Sequence, residues 1–86
     1  ALNSYDVIIQ NNAPGSDYAL YQKGTILGLQ NNYEEKIQTL EKIGSKYPTS
    51  AYYDDAIYNI GDAYVSLGKF QTAVATFNNL IQKFNI

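Results

Sequence analysis

The segment KYPTSAYYDDAIYNIG, residues 46–61, decides the fold, because a Pro-x-Ser turn in it separates two runs with helical apolar periodicity. A second Pro-x-Ser turn lies 34 residues earlier, at residues 14–16. Proline ends a preceding helix, and serine is a favoured N-cap of the next one. We therefore predict that Ser16 and Ser50 each cap a helix and that the chain is built from a repeated unit.

The repeat emerges when the chain is aligned with itself at an offset of 37 residues. Residues of the same kind then coincide along the helices and at their ends: Gly24 with Gly61, Asn31 with Gly68, Leu40 with Phe77, and Tyr47 with Phe84. The turns match at 34 instead, so the later copy carries three extra residues within AYYDD. Three residues are nearly one helical turn, and we predict that they lengthen the first helix of that copy.

Each copy has the pattern of two helices. Apolar and small residues recur at helical spacing in the first, which Asn31 or Gly68 ends, since both residue types tolerate the left-handed conformation there. An apolar stripe marks the second, and a similar stripe containing Ala1, Leu2 and Tyr5 opens the chain. The predicted helices are 2–11, 16–30, 32–46, 49–67 and 69–83.

These helices predict an all-α fold, a solenoid of stacked antiparallel helical hairpins about two and a half repeats long. Residues 1–13 would form the second helix of a truncated repeat, and residues 14–48 and 49–86 would form two complete repeats within one structural domain. Because Ala1 lies inside an amphipathic pattern, we interpret the chain as an excerpt of a longer protein.

Several signature positions resemble the tetratricopeptide repeat (TPR) family. They are Gly61 and Tyr64 on a first helix, Ala73 and Phe77 on a second, and a closing proline at Pro48. The resemblance covers almost the full chain and implies a right-handed solenoid that acts as a protein–protein interaction scaffold. The segment YPTSAYYDDAIYNIG is more specifically similar to bacterial envelope members, of the Tol–Pal coordinator and outer-membrane assembly lipoprotein types. That similarity implies a parent protein in the periplasm or associated with the outer membrane.

In this family, the first helices line a concave groove that binds partners. The resemblance therefore implies a partner-binding set on these helices: Tyr18, Tyr21, Gln22, Thr25, Asp55, Tyr58, Asn59 and Asp62. Tyrosines suit this role because their rings are rigid and amphipathic. The alternative is that these rings pack against the neighbouring helix. Tyr52 and Tyr53, in the extra residues, fit either interpretation.

Composition excludes several function classes. The chain has no Cys, His, Met or Trp, its six basic residues are all lysine, and its net charge is −2. A zinc site, a Ser–His or Cys–His pair and a basic nucleic-acid surface are therefore all unexpected. No apolar run approaches the ~20 residues of a membrane span. We predict a non-enzymatic protein without cofactor or metal, which binds a protein or peptide and no nucleic acid.

Two other functions remain open at this stage. The repeats could be a structural spacer with an empty groove, or a glycan- or peptidoglycan-binding module that uses surface tyrosines. The chemistry of tyrosine, which offers both a ring face and a hydroxyl, is compatible with either a peptide or a sugar.

Some side chains carry expectations about packing. Four tyrosines in phase with the apolar stripes should be core rings with hydroxyls at the edge: Tyr5, Tyr33, Tyr47 and Tyr64. Lys23 and Lys36 depart from the family pattern, and the stem of Lys36 should lie in a channel beside Gly24 and Gly28. The apolar side chains of the last helix, Phe77, Leu80, Ile81 and Phe84, would leave an end through which the chain self-associates.

Overall fold

Five α-helices follow one another through short turns in the computed structural model, which describes residues 2–84 and the side chains of residues 4–83. The helices are α1 (Leu2–Gln10), α2 (Ser16–Leu29), α3 (Tyr33–Lys46), α4 (Tyr53–Ser66) and α5 (Phe70–Phe84). Residues 2–84 contain no strand, and no helix continues through Pro48. The prediction of an all-α solenoid of helical hairpins is therefore confirmed.

The first helix of each copy ends as its sequence predicts. Asn31 and Gly68 have positive φ angles of 62° and 76°, the left-handed conformation that closes a helix. The N–H of Asn32 donates to the carbonyl of Leu27 at 2.8 Å, and an equivalent bond closes α4 after Gly68. Asn12 closes α1 in the same way, with φ 49°.

The predicted N-cap role of Ser16 is wrong. Gly15 is the cap of α2, in a left-handed conformation with φ 88°, and Ser16 is already helical. This turn directs the Ser16 hydroxyl back to α1, where it donates to the carbonyls of Ala13 (2.5 Å) and Ile8 (3.2 Å). Ser16 is only 2% exposed, so its hydroxyl joins the end of α1 to the start of α2 instead of capping a helix.

The three extra residues of the second copy do not lengthen its first helix, contrary to expectation. Helix α4 begins at Tyr53 rather than at residue 49, and α2 and α4 each have 14 residues. Ser50 does not cap α4 either: its hydroxyl accepts the N–H of Tyr52 at 3.0 Å and donates to the carboxylate of Asp17 at 2.6 Å. These bonds hold residues 50–52 in a turn, so the helix starts after them.

The helices form two layers, in which α3 packs against both α2 and α4, while α1 packs on α2 and α5 on α4. The Cα atoms extend over 34 × 31 × 14 Å, and the short dimension accommodates two layers at the usual helix spacing. Seven buried residues of α2, α3 and α4 form the core, and they are Leu20, Ile37, Leu40, Ile43, Ala56, Ile60 and Ala63.

Three of the four predicted core tyrosines, Tyr33, Tyr47 and Tyr64, pack at the edge of this core, half-buried, as expected. Tyr5 is also half-buried. On α5, Ala73 is buried, whereas Phe70, Val74 and Ile81 are largely exposed. The predictions for Ala1, Leu2 and Phe84 lie outside the described side chains.

The two lysines that depart from the family pattern occupy different environments. Lys36 is 8% exposed, and a Cβ at Gly28 would lie 2.8 Å from its Nζ and 3.1 Å from its Cδ. Its stem therefore fills the space beside Gly28, as predicted, whereas the space beside Gly24 is filled by Leu40. Lys23 pairs with Asp6 of α1 at 2.6 Å.

None of the helices in residues 2–84 combines the length and the apolar character needed to span a membrane.

Candidate functional site

The eight predicted partner-binding residues form two rows, one on α2 and one on α4. On α2 and on α4 they occupy positions i, i+3, i+4 and i+7, which share one side of a helix. We call the surface formed by these residues together with Tyr52 the α2–α4 face. The predicted members are Tyr18, Tyr21, Gln22 and Thr25 on α2, and Asp55, Tyr58, Asn59 and Asp62 on α4.

Three tyrosines cluster at one end of the α2–α4 face. The ring of Tyr52 stacks on Tyr21 with centroids 5.3 Å apart, and it meets Tyr18 at 5.5 Å in a tilted arrangement. Such ring pairs contribute about 0.5–1.5 kcal/mol beyond area burial. Tyr18 keeps 45% of its surface exposed, whereas Tyr21 is half-buried and also packs against the core. The packing of Tyr21 therefore agrees with the alternative prediction, in which these rings pack against neighbouring helices. The ring edge of Tyr21 still forms part of the face.

Tyr52 belongs to this cluster, although the sequence did not identify it. It lies in the turn before α4, where the extra residues of the second copy bring it over α2. The only sequence signal was its place in the insertion, which left its orientation open. Tyr53, by contrast, lies away from the face: its ring occupies the space beside Gly44.

One polar contact, between Asn59 and Tyr21, joins the two rows. The side-chain amide of Asn59 donates to the backbone carbonyl of Asp55 at 2.8 Å and approaches the Tyr21 hydroxyl at 3.5 Å. The Thr25 hydroxyl donates to the backbone carbonyl of Tyr21 at 3.1 Å. The amide of Asn59 thus lies between the Tyr21 ring on α2 and the carboxylate row on α4.

Tyr58 does not join the tyrosine cluster. Its ring packs on Phe77 of α5 with centroids 5.8 Å apart, and 57% of its surface remains exposed. Two predicted members, Asp55 and Asp62, lie on the same side of α4 and are exposed, and Gln22 is half-buried. The face thus has an aromatic end on α2 and a mixed aromatic and acidic row on α4.

Asp17 is the charged group at the edge of the tyrosine cluster. The hydroxyl of Ser50 donates to its carboxylate, and this bond, aided by the N–H of Tyr18, holds the pKa of Asp17 below its ordinary value. Partial desolvation opposes the shift. Asp17 therefore stays ionised at neutral pH and anchors the turn that carries Tyr52.

The concavities of the described residues lie away from the centre of the α2–α4 face. A groove of 580 Å³ runs between α3 and α5, over α4, and two others of 460 and 450 Å³ adjoin the turns. Lys83 closes part of the first groove, since it lies 3.7 Å from the Tyr53 ring centroid and 2.7 Å from a carboxylate oxygen of Asp54. None of these three concavities is lined by a member of the α2–α4 face.

Comparison with known families identifies the repeat. The family model described as tetratricopeptide repeat matches residues 18–50 and 55–84, which together make up more than half of the chain. The chain belongs to the tetratricopeptide repeat family. No curated protein and no solved structure matches it.

Membership of the TPR family indicates a general role for the α2–α4 face. TPR repeats mediate protein–protein interactions, and their fold is typically that of a non-enzymatic interaction module. All members of the face except Tyr52 fall within the two matched ranges, and Tyr18 and Asp55 are the first residues of those ranges. The family motif specifies how helices pack, so the partner must be argued from the residues of the face itself.

Proposed function

We propose that this chain is a protein–protein interaction scaffold whose α2–α4 face binds a peptide or protein segment of a partner. The observation that supports it most is the exposure of two supported rings, Tyr18 at 45% and Tyr58 at 57%. Each ring rests on a second aromatic, Tyr52 or Phe77. Rings that are held in place yet exposed lose little conformational freedom on binding, which is why tyrosine is frequent in binding hot spots.

Photocrosslinking in cells that make the full-length protein tests the proposal. A photoreactive phenylalanine analogue at position 18 or 58 should yield a partner adduct, and the same analogue at Lys42, exposed on α3, should not. The captured partner is then measured by calorimetry against the TPR chain. We expect Tyr18→Ala and Tyr58→Ala each to weaken binding by more than ~1 kcal/mol.

The control for ring loss is Phe70→Ala, because Phe70 is an aromatic residue with 63% exposure that lies outside the face. Its replacement should leave the affinity unchanged. If the Tyr18→Ala, Tyr58→Ala and Phe70→Ala proteins all bind the partner as tightly as the wild-type chain, the proposal is contradicted and a structural spacer is favoured. A glycan-binding module would instead retain peptidoglycan fragments through the same two tyrosines, and calorimetry with such fragments separates that case.

We also propose that the chain self-associates through one edge of the solenoid. Three exposed apolar side chains on one side of α5 support this, and we call them the α5 edge: Phe70, Val74 and Ile81. At the 37-residue offset, Val74 corresponds to Ile37, which is 6% exposed and belongs to the α2–α3–α4 core. A surface equivalent to a buried one is a candidate for docking, and sedimentation measurements over a range of concentrations test it.

For the parent protein, we propose a bacterial envelope setting, in the periplasm or at the outer membrane. The support is the similarity of residues 47–61 to envelope members of the family. Fractionation of cells that make the full-length protein tests it, because the proposal requires the protein in the envelope fractions. Recovery in the cytosol alone would contradict it.

A further inference from the structure

The α2–α4 face carries an uncompensated negative charge. Asp55 and Asp62 are both exposed, and neither forms an ion pair within residues 4–83. The chain has six lysines and no other cation-bearing side chain, and only Lys23 lies on α2 or α4. Lys23 is on another side of α2, paired with Asp6. Both carboxylates are therefore available to the cationic groups of a partner.

The geometry of the acidic row separates it from a metal site. Asp55 and Asp62 are seven residues apart on one helix, so their backbones are separated by about 10 Å along its axis. Residues 4–83 hold no group of three or more side chains placed to ligate a metal ion. Two carboxylates at this distance suit two separate cationic groups rather than one ion.

An exposed ring lies between the carboxylates. Tyr58 is three residues after Asp55 and four before Asp62, on the same side of α4, and Phe77 supports its ring. A guanidinium or ammonium attracted by a carboxylate could also contact the face of this ring, and such cation–π contacts are favourable. The carbonyl of the Asn59 side chain adds an acceptor, since the amide nitrogen is engaged with Asp55 and near Tyr21.

We propose that the partner segment bound by the α2–α4 face is cationic, a stretch in polyproline II conformation with two Arg or Lys residues three positions apart. This inference rests on the proposed function. In a polyproline II stretch, which has three residues per turn and rises about 3.1 Å per residue, side chains three positions apart point to the same side and lie about 9 Å apart, close to the separation along α4. Arginine fits best, because its planar group can engage a carboxylate and stack on a tyrosine together.

An acidic partner segment is disfavoured on this face. It would bring like charges against Asp55 and Asp62, and no lysine on the outward side of α2 or α4 offsets them. A neutral segment would gain the ring contacts but leave both carboxylates without partners. Charge complementarity therefore selects the basic partner among segments of similar shape.

Three pools of ten-residue peptides test the proposal. Each pool has one fixed pair of residues three positions apart, either Arg, Gln or Glu, and the other positions are randomised. Retention of each pool on the immobilised chain is measured at low and at high salt. We expect the Arg pool to be retained at least about fivefold better than the Glu pool at low salt. The preference should shrink as salt rises, because exposed charges are screened.

Two double variants with the same change in net charge locate the effect. Asp55→Asn with Asp62→Asn should remove the preference for the Arg pool. Glu34→Gln with Glu35→Gln should keep it, because these exposed carboxylates lie at the start of α3, outside the face. Circular dichroism checks that both proteins retain the helix content of the wild-type chain.

The remaining outcomes distinguish failure of the cationic-partner inference from failure of the proposed function. If all pools are retained equally and Tyr58→Ala abolishes retention, the cationic partner is overturned while the proposed function stands. If no pool is retained, or retention is independent of Tyr58, both are overturned. A preference for Arg that survives in the Asp55 and Asp62 variant, or falls equally in the Glu34 and Glu35 variant, reflects general charge attraction and overturns the inference alone.

Discussion

The stem of Lys36 takes the place of a side chain that Gly28 lacks. We predict that Gly28→Leu destabilises the fold by about 1–3 kcal/mol, because the new side chain overlaps the stem of a residue that is only 8% exposed. Helix propensity alone would make this substitution stabilising, because Leu is favoured over Gly in a helix by ~1 kcal/mol. Urea unfolding of the variant measures the balance.

Two controls separate overlap from other effects of Gly28→Leu. Gly28→Ala should be close to neutral or slightly stabilising, because its Cβ meets mainly the end of a flexible lysine side chain. Adding Lys36→Ala to Gly28→Leu should recover much of the lost stability. A neutral Gly28→Leu protein, or no recovery in the double variant, would show that the stem of Lys36 is not the obstacle.

The bond between Ser50 and Asp17 should make stability depend on pH. Because this bond lowers the pKa of Asp17 in the folded state, its contribution to stability is fully present above the ordinary aspartate pKa of about 4. It is lost as the pH falls through the folded-state pKa. We predict that Ser50→Ala costs roughly 0.5–1.5 kcal/mol at neutral pH and less in acid.

Unfolding at neutral and acidic pH measures this difference, and carbon NMR of the Asp17 carboxyl should show its pKa rising in the Ser50→Ala protein. The control is Asp17→Asn, in which the effect of Ser50→Ala should no longer vary with pH. A pH-dependent effect that persists in the Asp17→Asn background would assign the dependence to another group.

At the scale of the helices, two equivalent glycines set how closely each hairpin can pack. A Cβ at Gly24 would lie 2.6 Å from Cδ2 of Leu40, and one at Gly61 would lie 2.5 Å from the ring of Phe77. Leu40 is 1% exposed and cannot move freely, whereas Phe77 on α5 is only half-buried. We predict that Gly24→Ala destabilises by about 1–3 kcal/mol and Gly61→Ala by clearly less.

The difference between these two substitutions is best read from urea midpoints at an unchanged denaturant slope. Equal losses would mean that Phe77 is held as firmly as Leu40 and that the outer hairpin is as rigid as the inner one.

The predictable parts of the fold are those encoded by neighbours in sequence. Helix periodicity and the left-handed ends at Asn31 and Gly68 depend on residues within one or two turns, and these predictions are confirmed. The start of α4 depends on a hydrogen bond between Ser50 and Asp17, which are 33 residues apart. Local capping rules could not foresee it, and they therefore placed the helix four residues too early.

The ring contacts of the α2–α4 face likewise depend on residues that are distant in sequence. The resemblance to the TPR family implied the two rows, but it could not reveal that Tyr52 would stack on Tyr21, because that contact depends on the geometry of the turn before α4. Nor could it show that Tyr58 leans on Phe77 while Tyr18 leans on Tyr52. The role of each ring in binding stays a prediction.

At the scale of the whole molecule, the two repeats differ in what covers them. In the first, α4 packs on α3, and Ile37 and Leu40 are buried at 6% and 1% exposure. In the second, the corresponding Val74 is 57% exposed, and no helix within residues 2–84 covers it. The internal offset therefore indicates the kind of surface that fits the α5 edge: the apolar side of another helix.

We predict weak self-association through this edge, with a dissociation constant on the order of 0.1–1 mM, because one helix edge is small compared with a stable interface. Sedimentation from about 10 μM to about 1 mM should show a rising average mass. Val74→Glu should abolish the rise, because the charge would have to be buried at the contact.

The matched control is Val7→Glu on α1, where the valine has nearly the same exposure, 56% against 57%. A monomer throughout the range would contradict the prediction. Equal loss of association in both variants would mean that the α1 end takes part, so that copies meet head to tail rather than edge to edge.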